Sequence, residues 1–581
     1  MPDSDVTVSA TIGVPYINAD GNEQICNDYT LIESSTGSAV ILGAAVTETW
    51  YAVSGNVNIT SSDEALILYG AAHLILMDDA TLTVEGSQPI SAYGSLSIYG
   101  QSLGTGSLVA TGSDIAIYVD ILPNAPVAND GSLTINGGIV TAASGSDGIS
   151  ATNDITINGG VVSAGGNGLK TIGTLTLGWR NATDRIYASS YNGDNGVAVK
   201  SGQYLSDGTA VYSGSLSDTQ IDALVGQTLQ PAVALTLPKY VDATSGVLVQ
   251  EGRTACVLPD ANVTIAAEGC TLADVTVGGE AATDNGDGTW SFIMPANDVT
   301  VSATVTAIDF TTGHAGTEGD PYIIMYRSQL DLLATRVNGG ESYDGKFLKL
   351  GADIAYDPND LDDNGENYTA IGNKVNYRYF KGSFDGDGHI ISGIRINKTG
   401  QTDADKKQGL FGYVNNAFIK NVVLSDASIT GYTQVGGILG DFLSSTTIQN
   451  CFVLNSHIIA NSNTIDRGVI AGYYTQYITL IDNYYYNCTV NGASTNVGAD
   501  GNDRDGARGV NKLTLCEHVI ATPAAAVTYQ GNGYYVAGTS VTLSVEEGYT
   551  LNGSYTVKDA NNNDIALTGG DTFEMPASDV T

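Results

Sequence analysis

Leu133-Thr134-Ile135-Asn136-Gly137-Gly138-Ile139-Val140-Thr141-Ala142 returns 22 residues later as Ile155-Thr156-Ile157-Asn158-Gly159-Gly160-Val161-Val162-Ser163-Ala164. Each copy is two short alternating runs, the pattern of half-buried strands. They are joined by Asn-Gly-Gly, where glycine supplies the positive φ of a sharp turn. One copy is too small to bury its apolar face, so copies must stack, like residue over like at about 4.8 Å. A 22-residue spacing suits one coil of a parallel β-helix and predicts Asn158 directly over Asn136. Ala65-Leu66-Ile67-Leu68-Tyr69 and Ala80-Thr81-Leu82-Thr83-Val84 fit the same stack at looser spacing, which places this β-helix over 11–235. Ser217 to Gly226 reads as one short helix, capped by Ser217 and stopped by Gly226, that closes the stack.

A second kind of repetition frames the first. Met294-Pro295-Ala296-Asn297-Asp298-Val299-Thr300-Val301-Ser302-Ala303 is echoed at the beginning by Met1-Pro2-Asp3-Ser4-Asp5-Val6-Thr7-Val8-Ser9-Ala10, and at the end by Met575-Pro576-Ala577-Ser578-Asp579-Val580-Thr581. Pro favours an edge position, Asp and Asn a turn, and the Val-Thr-Val alternation a strand. Upstream, Val263-Thr264-Ile265-Ala266 aligns with Val541-Thr542-Leu543-Ser544. The expectation is two small β modules, 236–308 and 517–581, with 1–10 as the terminal strand of a preceding module and the second module truncated. On that phase the sequence reads as an excerpt from a longer repetitive chain. Asp284-Asn285-Gly286 is the hairpin turn of the first module.

Residues 309–516 form the other large unit. Ser328 is read as the cap of a helix that ends at Gly339-Gly340. Coils follow: Gly409-Leu410-Phe411-Gly412, Gly437-Ile438-Leu439-Gly440 and the weaker Val469-Ile470-Ala471-Gly472, spaced 28 and 32 residues apart. Each is trailed by Ile-x-Asn, at Ile419-Lys420-Asn421, Ile448-Gln449-Asn450 and Ile481-Asp482-Asn483. The fold class is therefore all-β: two parallel right-handed β-helices alternating with two small β-sandwich or β-grasp-like modules.

Three resemblances attach to these motifs. Ile-x-Ile-x-Gly-Gly-x-Val-x-Ala, over 65–180, resembles bacterial secreted β-helical carbohydrate-binding proteins. The Met-Pro modules resemble small β repeats found in tandem on bacterial surface proteins, including those beside internalin-type domains, where they act as spacers and interaction modules. The Gly-Leu-Phe-Gly coils over 310–495 resemble the GLUG-motif β-helices of bacterial adhesins and surface-protease stalks. They imply an extracellular, secreted or surface-anchored bacterial protein.

Composition narrows the partners. Among 581 residues, 23 are basic and 62 acidic, a net charge of −39. Nucleic acid and anionic membrane surfaces are disfavoured by that balance, and no apolar run reaches the length of a membrane span. Of six cysteines none form C-x-x-C; Cys256 and Cys270 flank a hairpin and are candidates for pairing, against the alternative of buried free thiols.

Catalytic motifs are missing: there is no H-E-x-x-H, G-x-S-x-G or Walker loop. Asp385 and Asp387 with His389 invite comparison with a pectinase-like carboxylate pair, but Phe-Asp-Gly-x-Gly-His reads better as a coil turn. Asp360-Leu361-Asp362-Asp363-Asn364-Gly365 matches the start of a calcium loop. Its candidate ligands are Asp357, Asp360, Asp362, Asn364 and Glu366, although the closing position holds Ile371. Tyr473, Tyr474 and Tyr485 are candidates for stacking on sugar rings, with alternate rings of such runs turned into the core.

The function expected is display, spacing and adhesion without catalysis, requiring no cofactor beyond an optional Ca2+. Its partners would be host or environmental glycans or surface proteins, and neighbouring copies joined by head-to-tail strand exchange or covalent tandem repetition. Carbohydrate binding by a β-helix face is the first alternative, and polysaccharide hydrolysis or lysis the second.

Overall fold

The computed structural model describes residues 13–121, 130–462, 466–494, 507–509, 527–529, 540–545, 556–559, 561–568, 572–576 and 580. It is nearly all-β, with large parallel sheets and two short α-helices among the described residues. The chain divides into two compact units. One comprises Met1–Leu237, Ala243–Ala266 and Val275–Ser302, and the other Pro238–Asp242, Ala267–Asp274 and Ala303–Thr581. The expected module 236–308 is thus divided between them.

In the first unit, strand pairs with strand at the predicted repeat. Leu133–Ile135 lies parallel to Ile155–Ile157, which lies parallel to Leu175–Leu177 and that to Val197–Val199. A second row runs Ser107–Gly112, Ile139–Ala143, Val161–Ala164, Arg185–Ala188. A third runs Ile117–Asp120, Ile149–Ala151, Leu169–Thr171, Tyr191–Gly193. Alternation turns Leu133, Ile135, Ile155, Ile157, Leu175 and Leu177 inward, each fully buried. Each such side chain contributes about 1.5–3 kcal/mol of burial.

The stack ends at an antiparallel strand, Thr228–Thr236, laid against Arg185–Ala188. Before it stands α1, Asp218–Leu224, whose Ser217 and Gln220 form a capping box and whose Leu224 joins the core. Gly226 then turns the chain at φ +70° and donates its N–H to Ala188 O. The predicted closing helix is present.

In the second unit, α2 spans Arg327–Gly339 and buries Leu330, Leu333, Ala334 and Val337. Its N-cap is Tyr326, with no side-chain bond, so Ser328 is not the cap. Ser328 lies inside the first turn, buried, and its Oγ donates to Gly269 O at 3.1 Å. A tertiary acceptor has taken the hydroxyl that the sequence offered to the helix end. The C-cap is Gly340 at φ +118°, as expected.

Parallel rows follow here too, Phe347–Leu350, Ser383–Asp385, Phe418–Lys420, Thr446–Gln449 and Ile478–Ile481 forming the first. Phe411 pairs with Leu439 at the expected 28-residue spacing, but Gln408 pairs with Val435 at 27, so the register shifts by one across Gly409 and Leu410 and does not set Gly437 squarely over Gly409. The third copy differs from expectation. Ile448 pairs with Leu480, not Ile481. Asp482, at φ +50°, occupies the corner held by Asn421 and Asn450 at φ +53° and +51°. Ile481 is left exposed.

The small modules share a pairing. Val263 faces Phe292 across Asn262–Ala267 and Thr289–Ile293, and Val541 faces Phe573 across Ser540–Val545 and Thr572–Glu574. Met294 and Met575, which open the repeated phrase, are both buried. Residues 1–10 and 577–579, on which the strand-exchange reading rests, lie outside the described residues, as does Cys516. Cys256 and Cys270 are not paired: both are buried free thiols.

Candidate functional site

The sequence-predicted calcium loop is folded by its own carboxylates. Asp362 Oδ1 accepts the N–H groups of Asn364 and Glu366, each at 2.9 Å. Glu366 Oε1 accepts Asn397 N–H at 2.8 Å, and its Oε2 pairs with Lys398 at 2.5 Å. Asp357 Oδ1 accepts Asn359 N–H, and Asp360 stands 3.8 Å from Arg327. Asn364 O accepts from Asn397 Nδ2. Among the described residues, no group of three or more His, Cys, Asp or Glu side chains is disposed to hold a metal ion.

The tyrosines separate by face. Tyr485 is buried in the core between its half-buried neighbours Tyr484 and Tyr486, which removes it as a sugar platform. Tyr473 and Tyr474 are half-buried against the core, and the Tyr473 ring lies 6.1 Å from that of Phe442. Asp385 bonds Asn421 Nδ2 at 2.8 Å and Lys420 at 3.0 Å, while Asp387 pairs with Lys349 at 2.6 Å. His389 meets Asp353 at 3.0 Å. These carboxylates hold a turn together, each opposite a lysine.

A cleft that sequence reasoning did not find lies on the first unit. It encloses about 210 Å³ and is walled by backbone at Gly100, Gly137, Gly138 and Gly160. The stacked Asn-Gly-Gly turns build it. Asn158 Nδ2 donates to Asn136 Oδ1 at 2.9 Å, both side chains nearly buried. Lys200 Nζ donates to the same Asn158 Oδ1 at 2.8 Å. It reaches there past Gly178, where a Cβ would come within 3.1 Å of the Lys200 Cβ.

Arg180 overhangs this wall. Its guanidinium donates to Asn136 O and, at 2.8 Å, to Asn18 O. Burial, opposed by the charges of Asp184 and Asp20, pulls its pKa below the ordinary arginine value, although a guanidinium stays protonated throughout the working range. Asp184 Oδ2 accepts the N–H groups of Arg180 and Asn181 at 2.6 and 2.8 Å, fixing the loop. Asp184 is the one carboxylate among the lining residues. The arrangement offers amide and guanidinium donors over a glycine floor, which suits a hydroxylated ligand lying close to backbone.

Beside it, the hairpin Val14–Ile17/Glu23–Cys26 lies over the outer face of the stack. Gln101 Nε2 ties it down through Pro15 O at 2.7 Å. Trp50 and His73 stack at 4.2 Å and 12°, with Tyr99 at 5.3 Å and Tyr16 at 4.8 Å from Trp50. His73 Nδ1 lies 3.0 Å from Tyr99 Oη, and Nε2 lies 3.2 Å from Glu48. Burial, partly opposed by Glu48, lowers the His73 pKa, so the ring is neutral near pH 7.

Comparison with known proteins gives little more. No family model matches the chain. A 72-residue stretch, 12% of the chain, is 42% identical to Halomucin of Haloquadratum walsbyi. That stretch spans only 1% of Halomucin, so most of that protein has no counterpart here. A crystal structure of a candidate immunoglobulin A1 protease from Bacteroides ovatus aligns over 30% of this chain and 58% of its own. The identity is 20% and the TM-score 0.18, too low to carry an argument.

Proposed function

We propose that the chain belongs to a secreted or surface-displayed protein and serves as a spacer and adhesive stalk. Two right-handed parallel β-helices would alternate in it with small β modules. The observation that supports this most is the pair of long parallel ladders, with apolar side chains inward and the candidate catalytic carboxylates held by lysines and backbone amides. Stacked rungs resist pulling because each buries its neighbour's apolar face. The Gly-Leu-Phe-Gly and Gly-Ile-Leu-Gly coils and the stretch shared with Halomucin favour the same reading. Antibodies against the purified chain should label intact source cells or the culture medium. Signal confined to lysed cells would overturn it.

A second reading, carbohydrate binding, is favoured by the glycine-floored cleft under Arg180. A glycan array should then give hits that Arg180→Ala abolishes, with no sugar released from the bound polysaccharide. Release of product would favour the hydrolase or lyase alternative instead.

A further inference from the structure

Lys407 and Asp441 form a pair that an ordinary structural ion pair does not explain. Both side chains are only 6% exposed, with Lys407 Nζ directly on Asp441 Oδ2. Among the described residues, Asp441 is the hydrogen-bond acceptor of Nζ, and its other close neighbour is the face of Tyr413, 4.0 Å from the ring centroid. Two buried charges are strongly disfavoured unless further hydrogen bonds complete them, and the ammonium has three donors to satisfy. The backbone goes out of its way to bring the pair together. Lys407 sits at φ +59°, a region that disfavours a side chain. Its carbonyl lies so close to the coil glycines that a Cβ on Gly412 or Gly440 would come within 2.5 or 2.6 Å of it.

We propose that Lys407 and Asp441 condense, with no cofactor, into an intramolecular amide that staples adjacent rungs of the second ladder. The proton shared across the pair moves to the carboxylate, leaving a neutral amine and a neutral acid. The Nζ lone pair attacks Cγ, forming the C–N bond. The negative charge that develops falls on Oδ1, which already accepts the Phe442 N–H at 2.7 Å, an oxyanion donor in place before the reaction. The Cγ–Oδ2 bond then breaks, and Oδ2 leaves as water with two protons, one from the acid and one from Nζ. An ion pair goes in; a neutral amide and one water come out, with no oxidant or co-reactant.

Three features drive the step. The Lys407 amine is held against the Asp441 carboxylate, which is worth a large effective concentration. The site excludes the water that would reverse it. Burial first, and then the positive charges of Lys374 and Lys406, push the Lys407 amine down to about 7, against the pull of neighbouring carboxylates. That shift favours the uncharged nucleophile. The product also removes both buried charges.

Mass spectrometry of the intact chain tests this, and it does not depend on the role proposed above. The purified protein should be one water lighter than its sequence. Trypsin should fail to cut after Lys407, leaving 407–420 joined to 421–467. Lys407→Arg and Asp441→Ala should each restore the full mass. A wild-type chain of full mass, with Lys407 recovered in linear peptides, would overturn the proposal. So would a light chain whose lost water maps elsewhere. If neither variant folds, the wild-type digest alone decides.

Discussion

The two ladders solve the same problem with different residues. In the first, rungs mostly 20 to 27 residues apart enclose a core of Leu, Ile, Val and Ala, and left-handed corners are made by glycine except at Asp79. Gly160, at φ +98°, shows why: a Cβ there would stand 2.5 Å from Gly138 O. In the second, rungs of 28 to 36 residues enclose Phe380, Phe384 and Phe411, whose rings meet at 5.2 Å. Its corners are Asn421, Asp426, Asn450, Asn455, Asp482 and Asn487, all at positive φ. A longer rung leaves room for a side chain at the corner, and that side chain bonds the rung below. Asn450 Nδ2 reaches Asn421 Oδ1 and Asn487 Nδ2 reaches Asn455 Oδ1, both at 2.9 Å. Short rungs thus place glycine at the left-handed corner and their Asn ladder beside it, whereas in long rungs the corner residue itself forms the amide ladder.

This contrast can be broken by substitution. Phe411→Ala should have the largest effect, a loss of about 3–5 kcal/mol in the unfolding of the second unit, because it empties the centre of an aromatic core. Ile157→Val in the aliphatic stack should cost only about 0.5–1.5 kcal/mol by the same chemical-denaturation measurement. Equal losses would mean that the second core is not organised around its rings. Gly160→Ala comes next, at about 2–4 kcal/mol, from left-handed strain plus overpacking against backbone. Its counterpart Asn450→Gly should cost about 1 kcal/mol or less, since glycine keeps the corner and only the ladder bond is lost. If the two corner variants lose the same stability, corner chemistry does not distinguish the ladders.

The smallest expected effect is the pH response of the aromatic stack. His73 has a lowered pKa when folded, against an unfolded value of 6.5. As pH falls, the unfolded chain takes up that proton first, so stability is full above about 6.5 and declines below it. The melting temperature of the first unit should therefore drop between about pH 7 and 5.5, above most of the carboxylate titration. His73→Gln should flatten that drop. An unchanged slope would show that His73 does not control it.

Much of the architecture was legible because repetition carries register. Asn136 and Asn158 announced their own ladder, and the glycines of 409–412 and 437–440 announced theirs. The slip came where the spacing changed. Ile478-Thr479-Leu480-Ile481 offers two apolar candidates for the inner face, and a shift of one residue exchanges the faces of a strand. Ser328 misled for another reason: local propensity proposes a cap, but tertiary partners decide where a hydroxyl bonds. The cleft was illegible because Arg180 meets Asn136 across 44 residues of chain. Its signal was the basic residue in Gly178-Trp179-Arg180-Asn181, rare in so acidic a sequence. The calcium and tyrosine readings took motif residues without knowing their neighbours, which turned out to be Lys398, Arg327 and the core.

The amide ladder of the first stack also bears on chemical ageing. Asparagine followed by glycine is the pair most open to deamidation, since the next backbone nitrogen attacks the side-chain carbonyl with nothing in its way. Asn136 and Asn158 both precede glycine, yet each is nearly buried and held by the other. Folding therefore shelters two of the stack's Asn-Gly bonds, while those of Asn167, Asn192 and Asn195 stay exposed, and a chain that has once unfolded accumulates damage at the turns it needs to refold.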